Sequence, residues 1–211
     1  MTSITIAIAD DHDYFRKGLI EILSSVGNVR VLIEAANGQD LINKISSAER
    51  LPDICLLDVW MPVLNGFDTL SYMTKEWPSI KVLVLSMFDH VYTVVNMIKN
   101  GACGFLTKSG DPSELKIALK SVYETGYYHS TLLSAYTKQI FSSAAHHNES
   151  LTPREKEFLI HCCSNLHYKQ IAELMCVSVH TVDSYRASTF KKIGVNSRAA
   201  LVLFALQTGM A

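Results

Sequence analysis

The sequence predicts two units in tandem: an α/β unit with a doubly wound five-stranded parallel sheet, then a smaller all-α unit of four helices. Three observations predict this. Strand and helix patterns alternate five times over the first 120 or so residues, the cadence of a parallel sheet covered on both faces. From Leu151 onward strand-like alternation disappears and four helical patterns follow one another with very short breaks. Charge divides the same way: residues 1–148 carry 12 Lys and Arg against 15 Asp and Glu, and residues 149–211 carry 7 against 5.

The elements follow in order. Residues 3–9 are a short apolar strand, and "FRKGLIEILSSVG" switches to helical spacing through Phe15, Leu19, Ile22 and Leu23. "VRVLIEAA" is the second strand, with "GQDLINKI" as the helix after it. "DICLLDV", "KVLVLSM" and "GFLTK" are the third, fourth and fifth strands, and "PSELKIALKSVYETG" is the helix that closes the series. A linker rich in Ser, Ala and His comes next, with "TLLSAYTKQIF" as a short helix and His146 and His147 as solvated residues. Then "LTPREKEFLIHCC" opens the helical unit: Thr152 caps, Pro153 takes the first helical position and Glu155 the third, the capping-box spacing. "YKQIAELM", "SVHTVDSYRASTFKKI" and "SRAALVLFALQ" complete it. The boundaries read from this pattern are 1–125, a linker at 126–149, and 150–211.

Composition excludes several classes. With 48% hydrophobic and 18% charged residues the chain is globular rather than disordered. The start has no basic segment before its apolar run, and nothing approaches 18 uninterrupted apolar residues, so neither a signal peptide nor a membrane span is expected. Five cysteines without metal-ligand spacing, most of them inside apolar runs, read as buried thiols in a reducing cytoplasm.

The chemistry gathers at strand ends. In an open parallel sheet, ligands collect beyond the carboxyl ends of the strands. Asp10 and Asp11 end the first strand, Asp58 the third, Ser86 the fourth and Lys108 the fifth, so all five project to one edge. Three carboxylates there repel one another unless cations intervene. A hard divalent ion such as Mg²⁺ prefers oxygen ligands and keeps water for an incoming phosphate. Lys108 supplies a mobile point charge, Ser86 a hydroxyl for a phosphoryl oxygen, and one accessible carboxylate a nucleophile for phosphorus. Strand-end aspartates that only cap loops are the bland alternative; the whole set at one edge argues against it.

"ADDH", "LLDVWMPVLNGFD", "VLVLSMFDH" and "GACGFLTK" stand in the order and spacing of a known family, and residues 4–124 resemble the flavodoxin-like receiver domain of two-component response regulators. The resemblance implies Asp58 as phospho-acceptor, with Asp10 and Asp11 as the acidic pair at Mg²⁺. Asp11, Asp58 and the backbone carbonyl of Trp60 would be direct ligands. Ser86 would be the hydroxyl switch residue, Phe105 the aromatic switch and Lys108 the phosphate-binding lysine, while Pro62 and Gly66 shape the loop. Three departures stand out. Phe105 replaces the commoner tyrosine and has no hydroxyl. Ser109 follows Lys108 where proline is common, with a cis bond still expected at about 2.5–4 kcal/mol. Met87 stands where small residues are common and narrows access to Asp58.

Residues 165–193 read as a helix-turn-helix: a scaffold helix with Ile171, Ala172 and Met175 facing inward, the tight turn "CVS", and a longer helix packing through Val179, Val182, Phe190 and Ile193. Its other face offers His180, Thr181, Asp183, Ser184 and Arg186, with Lys191 and Lys192 lower down, the inventory of a helix in a major groove. A solvated charged face is the alternative. The segment from Leu151 resembles the LuxR-type module of the NarL/FixJ subfamily. That likeness implies Lys169, Arg186, Lys191 and Lys192 as DNA-facing residues, with Thr181, Asp183 and Ser184 nearer the base edges. Tyr185 and Asn165 replace the commoner histidine and glycine.

The expectation is a cytoplasmic transcription regulator. A sensor histidine kinase or a small phosphodonor phosphorylates Asp58, and activation yields a homodimer that binds double-stranded promoter DNA. Two rival readings fit the sequence less well. A haloacid-type phosphatase would need an aspartate two residues past the nucleophile, where Trp60 stands. An unphosphorylated interaction module would not need the acidic cluster.

Overall fold

The computed structural model describes residues 3–25, 27–87, 90–128, 130, 151–164, 166–208 and 210. The helix expected within 131–141, His146, His147, Phe88, Asp89 and Asn165 lie outside the described residues. Five strands, β1 (Ile4–Ala9), β2 (Val29–Ala35), β3 (Ile54–Asp58), β4 (Lys81–Ser86) and β5 (Gly104–Thr107), form one parallel sheet in the order β2-β1-β3-β4-β5. Between them run α1 (Asp13–Ser24), α2 (Gly38–Ser46), α3 (Gly66–Glu76) and α4 (Val91–Lys99), and α5 (Pro112–Thr125) follows β5.

The strand sequences alternate with period two, and both sets of side chains are apolar. Ile6 and Ile8, with Leu56 and Leu85, pack under Leu19 and Leu23 of α1 and Leu119 and Val122 of α5. Ala7, Ala9, Leu57 and Val84 face Leu41 of α2, Leu70 of α3 and Met97 of α4. Fully burying each such Leu or Ile contributes about 1.5–3 kcal/mol, and because every pairing is parallel, all five strands end at one edge. The chain order reverses between β1 and β3, which places the ends of those strands side by side at the switch point.

The helical unit consists of α6 (Pro153–Cys162), α7 (Tyr168–Leu174), α8 (Val179–Ile193) and α9 (Arg198–Gln207). The capping box forms as the spacing predicts: Glu155 N–H donates to Thr152 Oγ1 at 3.3 Å and Thr152 N–H to Glu155 Oε2 at 2.7 Å. Ser178 caps α8, accepting from Thr181 N–H at 3.1 Å, and Gly194 ends it at φ +75°, a conformation glycine adopts without a Cβ penalty. One apolar cluster runs from the α3–α4 face of the sheet into Phe158, Ile171, Val182 and Leu201, so the two units pack on each other.

The structure departs from the sequence reading at three places here. Val179 was expected in the core but is 46% exposed, because as the first residue of α8 it projects past the scaffold helix; Val182 and Ile193 are buried. Among the described residues no peptide is cis, the Lys108–Ser109 bond included. Of the cysteines, Cys55, Cys103 and Cys162 are buried, whereas Cys163 is half-buried and Cys176 exposed.

Candidate functional site

Asp10 follows β1 directly and is held from three sides. Its backbone N–H donates to Ala35 O at 3.1 Å, its carbonyl accepts from Arg16 Nη1 at 2.5 Å, and its Oδ1 accepts from His12 N–H at 2.9 Å. Asp58 ends β3 with Oδ1 accepting from Val59 N–H at 2.7 Å. Lys108, just past β5, is anchored by its own N–H to Ser86 O at 2.8 Å. Its ammonium then lies 2.7 Å from Asp10 Oδ2 and 2.7 Å from Asp58 Oδ2, with the side chain 1% exposed. Ser86 is fully buried at the end of β4 beside this group. The predicted cluster of Asp10, Asp11, Asp58, Ser86 and Lys108 therefore converges on one strand-end edge.

Burial pushes the Asp58 carboxyl above its usual range; the Asp10 charge adds to this, and Lys108 and the Val59 N–H oppose it without prevailing. One ammonium between two buried carboxylates, with Asp11 close by, leaves the edge short of positive charge. Ligand atoms from Asp10, Asp11, His12 and Asp58 lie within 4.8 Å of one another. Carboxylate oxygens at that spacing fit a hard divalent cation, and Mg²⁺ suits the set. His12 is an addition that the strand pattern did not reveal: its Nδ1 is 2.9 Å from Asp11 Oδ1 and 3.3 Å from Asp10 Oδ1. Its place directly after the acidic pair was the available signal.

The loop after Asp58 is sterically tight. A Cβ on Gly66 would stand 2.3 Å from Asp58 O and 2.8 Å from Val59 Cα, so only glycine lets α3 start against the acceptor strand. Leu64 N–H donates to Pro62 O at 2.8 Å around Val63, whose φ is +67°. Trp60 is half-exposed, its ring edge-on to Phe67 at 6.0 Å. Met87 is exposed and lines a cavity of about 320 Å³ together with His12, Phe15 and Lys108. Phe105 is fully buried in this structure, in the inward position.

The second site is α8 and its surroundings. Lys169 and Lys191 are exposed, and neither forms an ion pair among the described residues. Ser184 is exposed, while Thr181 Oγ1 is 2.8 Å from Ser178 Oγ and so partly engaged in the cap. Arg186 lies 3.2 Å from Asp183 and over the Tyr168 ring at 5.3 Å. Lys192 differs from expectation: it turns inward to Glu155 Oε2 at 2.8 Å and is 19% exposed, because the capping box aims that carboxylate at the last turn of α8. Ser188 Oγ donates to Glu155 Oε1 at 2.6 Å.

Arg198 was missed altogether. All five of its N–H donors meet carbonyls: Cys162 twice, Ser164 and Leu166 in the helical unit, and Thr125 at the end of α5 at 2.7 Å. Its guanidinium lies over Tyr127 at 5.0 Å and Tyr168 at 5.2 Å. Ser197 Oγ donates to Ile98 O, in the last turn of α4, at 3.1 Å. Arg186 and Phe190 of α8 share a cavity of about 360 Å³ with Lys81 and Cys103 of the sheet unit. One flank of α8 is thus turned toward the sheet.

Residues 6–120 match the family described as response regulator receiver domain, and residues 149–205 match the luxR family of bacterial regulatory proteins. The oxygen regulatory protein NreC of Staphylococcus aureus is 31% identical over 211 residues, 96% of each chain. RcsB from Salmonella enterica serovar Typhimurium, bound to promoter rprA in the presence of the phosphomimetic BeF₃⁻, is similar in fold. Its TM-score is 0.57 at 24% identity, over 95% of this chain and 97% of that one. The signal receiver domain of the putative response regulator NarL from Mycobacterium tuberculosis gives a TM-score of 0.55 at 30% identity. It covers 58% of this chain and 98% of its own.

Proposed function

The chain belongs to the NarL/FixJ subfamily of two-component response regulators, a receiver domain followed by a LuxR-type helix-turn-helix, and on that premise we propose that Asp58 is the phospho-acceptor that controls promoter binding through α8. The family is one of regulators, not enzymes. The observation that carries the reading is Asp58 itself: a buried carboxylate at the switch point, 2.7 Å from the Lys108 ammonium and short of compensating charge. A sensor histidine kinase is the donor. The N–P bond of its phosphohistidine breaks as an Asp58 carboxylate oxygen bonds to phosphorus, and the histidine nitrogen keeps the electron pair.

Asp11, Asp58 and the Trp60 carbonyl would hold Mg²⁺, with Asp10 alongside. Bound there, the ion neutralises charge on the phosphoryl oxygens. Lys108 moves from the Asp58 carboxylate to a phosphoryl oxygen, and the buried Ser86 hydroxyl donates to another. Phe105 is already inside, so phosphorylation holds that position rather than creating it. The inward ring packs in one apolar cluster with Val94, Met97 and Ile98 of α4, and the Ile98 carbonyl receives Ser197. Remodelling α4 loosens Ser197, the residue next to Arg198, frees the flank of α8 and permits a homodimer to place two recognition helices on double-stranded promoter DNA. Lys169, Lys191 and Arg186 contact phosphates; Thr181, Asp183 and Ser184 stand nearer the bases; Lys192 acts through Glu155 unless DNA draws it out.

The domains run 1–125 and 150–211 with a linker at 126–149. No helix among the described residues is long and apolar enough to cross a membrane, and the protein works in the cytoplasm on this reading. The test is light scattering with and without beryllofluoride and Mg²⁺, on wild type and Asp58→Ala. A dimer that forms only with beryllofluoride and vanishes in the variant is expected. An unchanged mass in every sample would sink phosphorylation-driven dimerisation.

A further inference from the structure

The Lys108 ammonium has three N–H groups, and the two carboxylates at 2.7 Å account for two of them. On its remaining side lies the ring of Phe15, with the centroid 4.8 Å from Nζ. We infer that Phe15 is a positioning residue for phosphoryl transfer, holding the Lys108 ammonium while its partner oxygen changes. The inference rests on the reading of Asp58 as acceptor.

Local structure places the ring. Phe15 stands in the first turn of α1, next to Arg16, whose guanidinium grips the Asp10 carbonyl at 2.5 Å and so ties that turn to the acidic loop. The ring packs, partly buried, against the apolar cluster of Ile8, Leu85 and Leu106. It also walls two cavities at once. One of about 280 Å³ extends toward Leu19 and Leu115, the other of about 320 Å³ opens at His12 and Met87, and Phe15 and Lys108 line both. A side chain without that width would join the cavities beside the ammonium and admit water.

The chemistry explains why a ring suits this position. As the Asp58 oxygen bonds to phosphorus its charge falls, and the phosphoryl oxygens carry the charge instead. Lys108 must follow. Hydrogen bonds to the carboxylates are directional and weaken as the ammonium turns. Attraction to a ring face varies slowly with angle, so it persists through the hand-over. A desolvated ammonium over a ring is the strong form of that contact, and Lys108 is 1% exposed.

The experiment uses the full chain with Mg²⁺ and radiolabelled acetyl phosphate as donor. Phe15→Leu, close in volume but aliphatic, is expected to label about thirtyfold more slowly, the order of one desolvated cation–π contact. Phe15→Tyr keeps the ring and is expected to stay within about twofold of wild type. In a Lys108→Met background, Phe15→Leu should cause no further loss. A second readout is independent of transfer: the Lys108 ε-methylene protons should show an upfield ring-current shift in wild type and Phe15→Tyr that is absent in Phe15→Leu. Equal labelling rates in wild type and Phe15→Leu overturn the proposal, as does a Phe15→Leu loss that persists without Lys108. Wild-type protein that takes no label overturns the acceptor assignment and this proposal with it, whatever the proton shifts show.

Discussion

Lys108 and Lys192 are both largely buried lysines set against carboxylates, one at the sheet edge and one in the helical unit. Lys192 meets a single acid, Glu155, at 2.8 Å. Burial pushes that carboxyl up, but Lys192, Ser188 and the Thr152 N–H outweigh it and hold Glu155 down at about 2. Lys108 is shared between two acids at 2.7 Å each, and there burial wins: Asp58 is raised. The difference separates structure from reactivity. A carboxylate with a full set of donors has nothing left to do, whereas an under-compensated one is ready for a cation and for an electrophile.

Mg²⁺ should act on the Lys108 site and leave the Lys192 site untouched. A raised folded-state pKa means that the Asp58 contribution to stability is fully present below the unfolded value of 3.8 and is lost as pH rises through the folded value. At neutral pH the ionised site therefore weakens the receiver, and a cation that binds only the folded form restores it. Mg²⁺ at a hundred times its dissociation constant should stabilise the receiver by about 2.7 kcal/mol. Urea titration should show that gain in wild type and lose it in Asp11→Ala. Hydrogen exchange should slow at β1 and β3 amides and stay unchanged at those of α6 and α8. Equal slowing at α6 would mean that Mg²⁺ stabilises both units together and that the two lysine sites are not energetically separate.

The Glu155 site responds to pH instead. The Glu155 carboxyl is depressed from 4.5 to about 2, so its contribution is present above the unfolded value and is lost as pH falls toward 2. Glu155→Gln keeps the shape of the capping box but removes the charge opposite Lys192. It should lower stability by about 2 kcal/mol at pH 7, the size of charge-assisted hydrogen bonds, and by much less near pH 2. Denaturation midpoints measured across that window check this; parallel curves for wild type and variant would mean that the pair contributes nothing.

These two sites were not equally legible. Apolar runs that stop in Asp10 and Asp58 announce the sheet edge, because strand ends of a parallel sheet share a side and the pattern is local. The Thr152–Glu155 capping box is equally local. What lies across elements left no trace in periodicity: Phe15 beneath Lys108, Arg16 on the Asp10 carbonyl, and Lys192 on Glu155 from 37 residues away. Charge counting misled for the same reason. The surplus of basic residues after 148 includes Lys192 and Arg198, and both are engaged inside the protein. Affinity for DNA must then rest on fewer free cations per chain than composition implies, which favours a dimer.

Among the described residues, two that are not glycine are held at positive φ: Val63 at +67° beside the acceptor and Cys176 at +54° in the turn before α8. A β-branched side chain in that region is the more strained, since both γ-carbons crowd the backbone. Val63 is 83% exposed, so replacing it forfeits little burial. Val63→Gly relieves the left-handed penalty of about 1–2 kcal/mol and incurs a flexibility penalty of up to about 1 kcal/mol in the unfolded chain. A net gain of about 0.5 kcal/mol is expected from urea titration, with a smaller gain for the unbranched Cys176→Gly. A loss of stability in Val63→Gly would show that the three-residue turn at Pro62–Leu64 is held by the valine itself. The strain at the acceptor loop would then be part of what fixes Asp58, not a tolerated by-product of the fold.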